Sequence, residues 1–274
     1  MKRVPFWTAA LRVFDLSFGQ MLWSRRTLFM VGAVGAPLLV AAILRTIDAM
    51  GMSVLRVNGV RVGGLVIFGG LFWLLYLRLI VPVLGVFYGT SLMSDEVEDR
   101  TLTYLFTRPI PRGAVIIGKY LAYLVCTELV VLPSVTAAYL LIVPVGDGSI
   151  GGSFPVLVAD VGILALGLAV YGAVFALVGA LVPRPLVAGL LLVFGWEQAA
   201  LLVPGYLRLF TVAHYLQALV PHAMPQDETV AAVQALFAEP PSTLSSLVSL
   251  AAIAVTSLWL AARTVASRDY VLDQ

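Results

Sequence analysis

The sequence predicts an all-α polytopic membrane protein, on the basis of its composition and its apolar segments. The chain has 274 residues, of which 61% are hydrophobic and only 12% are charged. A soluble domain of this length carries about 25% charged residues and could not bury so much apolar surface. Apolar runs that approach or exceed the length needed to cross a bilayer recur between short polar segments. Residues 1–274 are therefore expected to form a single transmembrane domain.

Six of these apolar runs are predicted to span the membrane. They cover residues 28–44, 64–93, 112–143, 154–182, 186–203 and 243–262. The fifth run is short for a full crossing of about 20 residues, and Gly195 and the polar Trp196-Glu197-Gln198 interrupt it. A broken or re-entrant fifth helix is therefore expected. Trp196 and Glu197 are candidates for a gate near the external end of this helix.

Two further segments are predicted to be amphipathic. Residues 5–23 carry apolar side chains on one face and polar residues such as Arg12 and Asp15 mostly on the other, which is typical of a helix lying in the membrane interface. Residues 205–241 are predicted to form an external cap packed on the membrane. Between the first two spans, Asn58-Gly59 flanked by β-branched residues predicts a β-hairpin.

The basic residues predict the orientation of the chain. Of the 17 Lys and Arg residues, 12 fall on the side that holds both termini and four fall on the opposite side, while Arg78 lies within a span. The four are Arg45, Arg56, Arg61 and Arg208. Cytoplasmic segments carry the excess of Lys and Arg, so both termini and the loop after the second span are expected in the cytoplasm.

Two ionisable residues are predicted to lie deep in the membrane, Arg78 in the second span and Glu128 in the third. Arg78 lies sixteen residues before Ser94, and Glu128 lies sixteen residues after Arg112. Consecutive spans are antiparallel, so both residues reach nearly the same depth. An unpaired Arg there costs about 2.5–3.5 kcal/mol. We therefore predict an Arg78–Glu128 ion pair that joins the two spans; a direct functional role for the pair is the alternative.

A long, densely charged segment separates the second and third spans and runs from Ser94 to Lys119. Ser94 can cap a helix, and the acids that follow it lie in the first turn, where the helix dipole favours negative charge. Apolar residues recur at helical spacing and form one face. Pro109 disfavours helical dihedral angles at Arg108. The segment is therefore predicted to form a short amphipathic helix over residues 94–108.

This segment resembles the cytoplasmic loop of bacterial ABC transporter permeases of the type-2 exporter family. The family pattern combines an acidic start, Thr-Leu, a further Leu, Arg-Pro and Arg, followed by Gly-Lys at the beginning of the next span. The matching residues are Glu96, Glu98, Thr101, Leu102, Leu105, Arg108, Pro109, Arg112, Gly118 and Lys119. Arg100 departs from the commonest pattern, which has Gly at that position. The resemblance extends in weaker form over the whole chain, as a six-span layout.

The resemblance implies that residues 94–108 form a coupling helix that docks into a cleft of a separate ATPase subunit. The docking residues would be Asp95, Glu96, Glu98, Arg100, Thr101, Leu102, Leu105, Phe106 and Arg108. It also implies two ABC ATPase copies that bind ATP and Mg, a second permease copy in a homodimer or heterodimer, and a place in the bacterial inner membrane. An external accessory protein is a further candidate partner, at the 205–241 cap.

Other functions have less support in the sequence. No G-x-x-x-x-G-K-[ST] phosphate loop is present, so this chain is not itself expected to bind or hydrolyse ATP. No catalytic residue, metal site or nucleic-acid partner is predicted. The alternatives are a membrane-embedded enzyme with an acidic cytoplasmic site, and an ATP-independent channel or scaffold. The acids of the loop lie on divergent helix faces without a catalytic base or nucleophile, and a channel would not need the docking helix.

Overall fold

The computed structural model describes residues 5–51, 56–57, 60–92, 112–146, 148–202, 206–220 and 241–267. Five helices in this part of the chain are long and apolar enough to cross a membrane, and a further apolar helix is shorter. The five are Thr27–Ala49, Gly64–Gly89, Gly113–Ile142, Ile150–Leu181 and Thr243–Val265, and the shorter one is Pro185–Ala200. The prediction of an all-α polytopic membrane protein is confirmed.

The elements are numbered in chain order. They are α1 (Phe6–Leu22), α2 (Arg25–Ala49), β1 (Arg56–Val57), β2 (Val60–Arg61), α3 (Gly64–Gly89), α4 (Arg112–Ile142), α5 (Ile150–Leu181), α6 (three continuous segments, Pro185–Leu190, Leu191–Glu197 and Gln198–Leu202), a 3₁₀ turn (Tyr206–Phe210), α7 (Val212–Leu219) and α8 (Thr243–Ser267). The two strands pair antiparallel with Val57 opposite Val60, so the predicted hairpin is present. Next to it, the Gly64 amide donates to the Val145 carbonyl at 2.9 Å. We call this end of the bundle the hairpin end.

Helix α1 packs along the first turns of α4. A Cβ atom on Gly118 would lie 2.4 Å from the Ala10 carbonyl oxygen and 2.9 Å from the Val13 Cβ, so glycine permits this close approach. Leu11 and Leu16 on another face of α1 are exposed. The helix predicted over residues 5–23 is thus present. Its location in the membrane interface stays a prediction, which the exposed apolar side chains favour.

Helix α5 begins four residues before the start at residue 154 that the sequence predicted. The side-chain oxygen of Ser149 accepts a hydrogen bond from the Gly152 amide at 3.3 Å, which caps the new first turn. Gly146, with φ of 69°, completes the turn out of α4. The glycine-rich composition of this stretch suggested a loop, but the serine cap extends the helix through two of its glycines.

Tyrosine side chains of α4 hold α5 in the centre of the bundle. The hydroxyl groups of Tyr120 and Tyr123 donate to the carbonyl oxygens of Ala169 and Leu168 at 2.8 and 3.0 Å. Gly172 makes room for this arrangement, since a Cβ atom there would lie 2.1 Å from the Tyr123 ring. Small residues and interhelical hydrogen bonds are the means by which helices pack inside a membrane.

The last turns of α3 lie directly against α5. Gly85 and Gly89 form a G-x-x-x-G pair, and a Cβ atom on either would lie 2.8 Å from a Cβ atom of α5. Further along, a Cβ atom on Gly179 would lie 2.5 Å from the Thr90 carbonyl oxygen. Glycines on both helices therefore fix the end of α3 against α5 at very short separation.

The fifth predicted span forms a continuous helix, α6, with a π-helical segment over Leu191–Glu197 where the sequence predicted a break. The described part of α6 extends to Leu202. The backbone amides of Val212 and Ala213, at the start of α7, hydrogen-bond to the side chain of Glu197 on α6. The first turn of α7 therefore lies at the depth of Glu197, so the re-entry that the sequence predicted for the fifth run is made by the next helix along the chain.

Helix α7, in the described part of the predicted external cap, packs inside the bundle, whereas Leu207, Leu209 and Phe210 of the 3₁₀ turn are exposed. A Cβ atom on Gly167 would lie 3.3 Å from Leu216 Cδ1 on α7 and 3.2 Å from Val81 Cγ1 on α3. Gly167 is about 25 Å along α5 from its first residue, Ile150. Residues 212–219 are therefore called the inserted segment. The remainder of the predicted cap, residues 221–240, lies outside the described residues.

Candidate functional site

The residues predicted to dock an ATPase lie outside the described residues. They are Asp95, Glu96, Glu98, Arg100, Thr101, Leu102, Leu105, Phe106 and Arg108. The structure does describe the two flanking segments, residues 90–92 just beyond α3 and the start of α4 at Arg112.

Lys119 joins these two segments. Its Nζ atom, about two turns into α4, donates to the Leu92 carbonyl oxygen at 3.0 Å. A hydrogen bond from a charged ammonium group to a main-chain carbonyl is stronger than one between neutral groups. Lys119, after the docking segment of residues 94–108, thus lies beside Leu92, which precedes that segment.

A second group of polar side chains lies in the middle of the bundle. Arg78, within the π-helical part of α3, donates from Nη2 to Oε1 of Gln198 on α6. The Cζ atom of Arg78 lies 5.1 Å from the centroid of the Trp73 ring, within the range of a cation–π interaction. The guanidinium group is therefore held by an amide and an aromatic face, both within the bundle.

The structure does not bring Arg78 to Glu128, its predicted partner. In the part of the chain that the structure describes, no ion pair joins the two residues, and Glu128 is a half-buried side chain on α4. The positions of the two residues along their spans predicted only that they lie at a similar depth in the membrane. Their directions around each helix axis depend on packing, and the face of α3 that carries Arg78 is turned toward α6 and the inserted segment.

Glu197 lies in the same region and is only 3% exposed. Its Oε2 atom accepts a hydrogen bond from the Tyr171 hydroxyl at 2.6 Å. The amides of Val212 and Ala213 provide two further donors. Glu197 therefore caps the start of α7, where unpaired amides and the positive end of the helix dipole favour an anionic group.

Trp196 and Glu197, the predicted external gate, occupy different environments. Trp196 is 43% exposed, while Glu197 is buried against Tyr171. Tyr171 lies about 31 Å along α5 from Ile150 and about 15 Å from Leu181. Glu197 is therefore deep in the bundle and away from the hairpin end, because α6 enters from the other end.

A small cavity separates the polar side chains of this site. Its lining consists of Trp73, Leu77, Arg78, Pro82, Tyr171, Glu197, Gln198, Ala213, Leu216 and Gln217. Oppositely charged groups, two amides and two aromatic rings thus face one space between α3, α5, α6 and α7. Ionisable residues inside a membrane protein are expensive and mark functional sites by default. The lining offers hydrogen-bond donors and acceptors to a polar group.

Sequence reasoning identified Arg78 and Glu197 but missed the residues that hold them. Gln198 stood out as a polar residue in an apolar run, and it could have been considered as a partner of Arg78. Tyr171 carried no signal that distinguished it from the other tyrosines. The G-x-x-x-G spacing of Gly85 and Gly89 was present in the sequence and was not used.

The fold and the site together define the class of protein. A bundle of apolar spans with charged residues at mid-depth is typical of a polytopic membrane protein with a functional site inside the bundle. Residues 22–272 match the family described as ABC-2 family transporter protein, and the chain belongs to that family. It is a multi-pass membrane protein and a permease component of an ABC transporter, and the family implies an ABC ATPase partner. A comparison with curated proteins found no match.

Proposed function

We propose that this chain forms the translocation pathway of an ATP-driven exporter and is moved by a separate ATPase that docks on residues 94–108. Two permease chains, identical or similar, would form the pathway with two ATPase subunits, which bind ATP and Mg. The docking segment and both termini face the cytoplasm, and the complex resides in the bacterial inner membrane. The positive-inside asymmetry of the basic residues supports this orientation.

The observation that supports the proposal is the close packing of the segment that precedes residues 94–108. Gly85 and Gly89 place the end of α3 in direct contact with α5. Lys119 ties Leu92, beyond that end, to α4. Closely packed helices move as bodies and do not deform continuously, so a force on the docking segment is expected to move α3 and α4.

The same helix connects the docking segment to the cavity. Arg78 lies about 16 Å along α3 from its last residue, Gly89, and it contacts Gln198 on α6. A displacement of α3 would therefore reach α6 and the inserted segment. Closure of the ATPases would in this way switch the pathway between access from one side of the membrane and access from the other.

Charge reversal in the docking segment tests the proposal. The ATPase should co-purify with the tagged chain from native membranes, and Glu96→Lys or Glu98→Lys should release the ATPase or uncouple its hydrolysis. Juxtaposed like charges cost several kcal/mol at an interface, which is enough to abolish binding. The measurement is the amount of ATPase retained per permease, together with ATP hydrolysis by the purified complex.

Asp48→Lys provides the matched control. Asp48 pairs with Arg45 at 3.3 Å at the C-terminal end of α2, and it is partly exposed. Its reversal introduces the same change of charge away from the docking segment, so the ATPase should stay bound. An intact, coupled complex in Glu96→Lys and Glu98→Lys would contradict the proposal, as would equal loss of the ATPase in all three variants.

A further inference from the structure

Lys119 stands in an apolar part of α4 and points toward the end of α3. The neighbouring Val115, Ile116 and Ala122 are buried, and Lys119 itself is half-buried. Its ammonium group donates to the Leu92 carbonyl at 3.0 Å, across a sequence separation that includes the whole docking segment. A hydrogen bond from a charged donor is stronger than one between neutral groups, and more so away from water.

The residue before Lys119 makes an equally close contact with a different helix. Gly118 lies against the backbone of α1, where a Cβ atom would come within 2.4 Å of the Ala10 carbonyl oxygen. Consecutive residues of a helix point about 100° apart, so Gly118 and Lys119 face different neighbours. This one turn of α4 therefore meets both α1 and the end of α3.

We propose that Lys119 is a positioning residue, which sets the point at which the docking segment leaves α3 and keeps that point moving together with α4. The inference rests on the proposed function, since it concerns how movement of the docked ATPase reaches the bundle. With the Lys119–Leu92 contact, a push on the docking segment displaces α3 and α4 jointly. Without that contact, the end of α3 separates from α4, and a force on the docking segment does not displace the two helices jointly.

The test needs no knowledge of the transported substrate. Gln217 lines the cavity, and Cys126, the one cysteine of the sequence, is buried. Gln217→Cys in a Cys126→Ala background reports access to the cavity through its rate of labelling by a maleimide. The rate is measured on the permease–ATPase complex in lipid nanodiscs, without nucleotide and after trapping with ATP and vanadate.

We expect the ratio of the two labelling rates to differ from one with Lys119 present and to fall toward one in Lys119→Met, with the ATPase still bound and hydrolysing ATP. In the trapped complex, loss of the charged contact should change the equilibrium constant between the two access states of the pathway by about tenfold, equivalent to about 1.4 kcal/mol. Lys119→Arg keeps a donor and should retain most of the response. Arg184→Met removes an exposed basic residue between α5 and α6 and should leave the ratio unchanged.

Each outcome has a separate meaning. Release of the ATPase by Lys119→Met, with retention in Arg184→Met, also supports the positioning role. An unchanged ratio in Lys119→Met overturns that role while the proposed function stands, and equal losses in both variants overturn it as well. If Lys119→Met does not give a monodisperse complex, Lys119→Gln takes its place in the same comparison. Absence of an ATPase from the unmodified complex, or no nucleotide response in it, contradicts the proposed function itself.

Discussion

Replacement of Glu197 by alanine should destabilise the bundle far more than the same replacement of Glu128. The Glu197 carboxylate accepts hydrogen bonds from the Tyr171 hydroxyl and from the amides of Val212 and Ala213. Glu197→Ala therefore leaves three donors without their acceptor at mid-depth in the bundle. Glu128 is half-buried, and it has no hydrogen bond or ion pair in the described part of the chain.

The size of the difference follows from these partners. Each buried donor left unsatisfied costs about 1–3 kcal/mol. Removal of the carboxylate also removes the free-energy cost of burying that charge away from water, which offsets part of the loss. We expect a net loss of about 3 kcal/mol for Glu197→Ala, and no more than about 1 kcal/mol for Glu128→Ala. At about 2–4 °C per kcal/mol for a domain of 150–250 residues, the Glu197 variant should unfold roughly 6–12 °C lower.

Thermal unfolding of the two variants in lipid nanodiscs, followed by size-exclusion chromatography, measures this difference. The ion pair predicted from the sequence leads to the opposite order, because Glu128→Ala would then leave Arg78 uncompensated inside the membrane. A loss in Glu128→Ala that equals or exceeds the loss in Glu197→Ala would refute our account of the inserted segment.

Two pairs of glycine variants test the helix contacts. Gly172→Ala should destabilise the protein by about 1–3 kcal/mol, because the new Cβ atom would lie 2.1 Å from the Tyr123 ring. Gly162→Ala should not destabilise it, because a Cβ atom there meets nothing within 4 Å. Equal melting temperatures of the two variants would contradict this packing. Gly118→Ala should detach α1 and expose it to proteolysis, since the contact there would be 2.4 Å, and Gly113→Ala, at 3.6 Å, should not. Equal rates of cleavage in these two variants would show that α1 does not depend on the close approach.

The sequence predicted the spans well where a single physical quantity decides them. A run of about 20 apolar residues must form its hydrogen bonds internally in a bilayer, so length and hydropathy determine that it is a helix. The Asn58-Gly59 hairpin was also predictable, because the turn chemistry is local. The start of α5 was placed four residues late, because the cap at Ser149 competes with the loop preference of the adjacent glycines.

The candidate site was predicted only in part. Arg78 and Glu197 were both noticed, since a charge in an apolar run is visible without a structure. Their partners were not predicted, because Gln198, Tyr171 and the amides of α7 approach them from elements distant in sequence. The predicted partner Glu128 satisfied the requirement of depth, but rotation about the helix axis cannot be read from spacing alone.

The sequence by itself determined that this protein lies in a membrane as a set of apolar helices, and that a charged segment between the second and third spans resembles the docking loop of a transporter. Only the tertiary structure decided which residues meet at mid-depth, and that residues 212–219 pack inside the bundle and are capped by Glu197. The physical reason is that transfer of each segment into a bilayer depends on its own composition, whereas interhelical contacts depend on how close two backbones can come. At Gly172, Gly85 and Gly118 that distance is set by atoms of another helix.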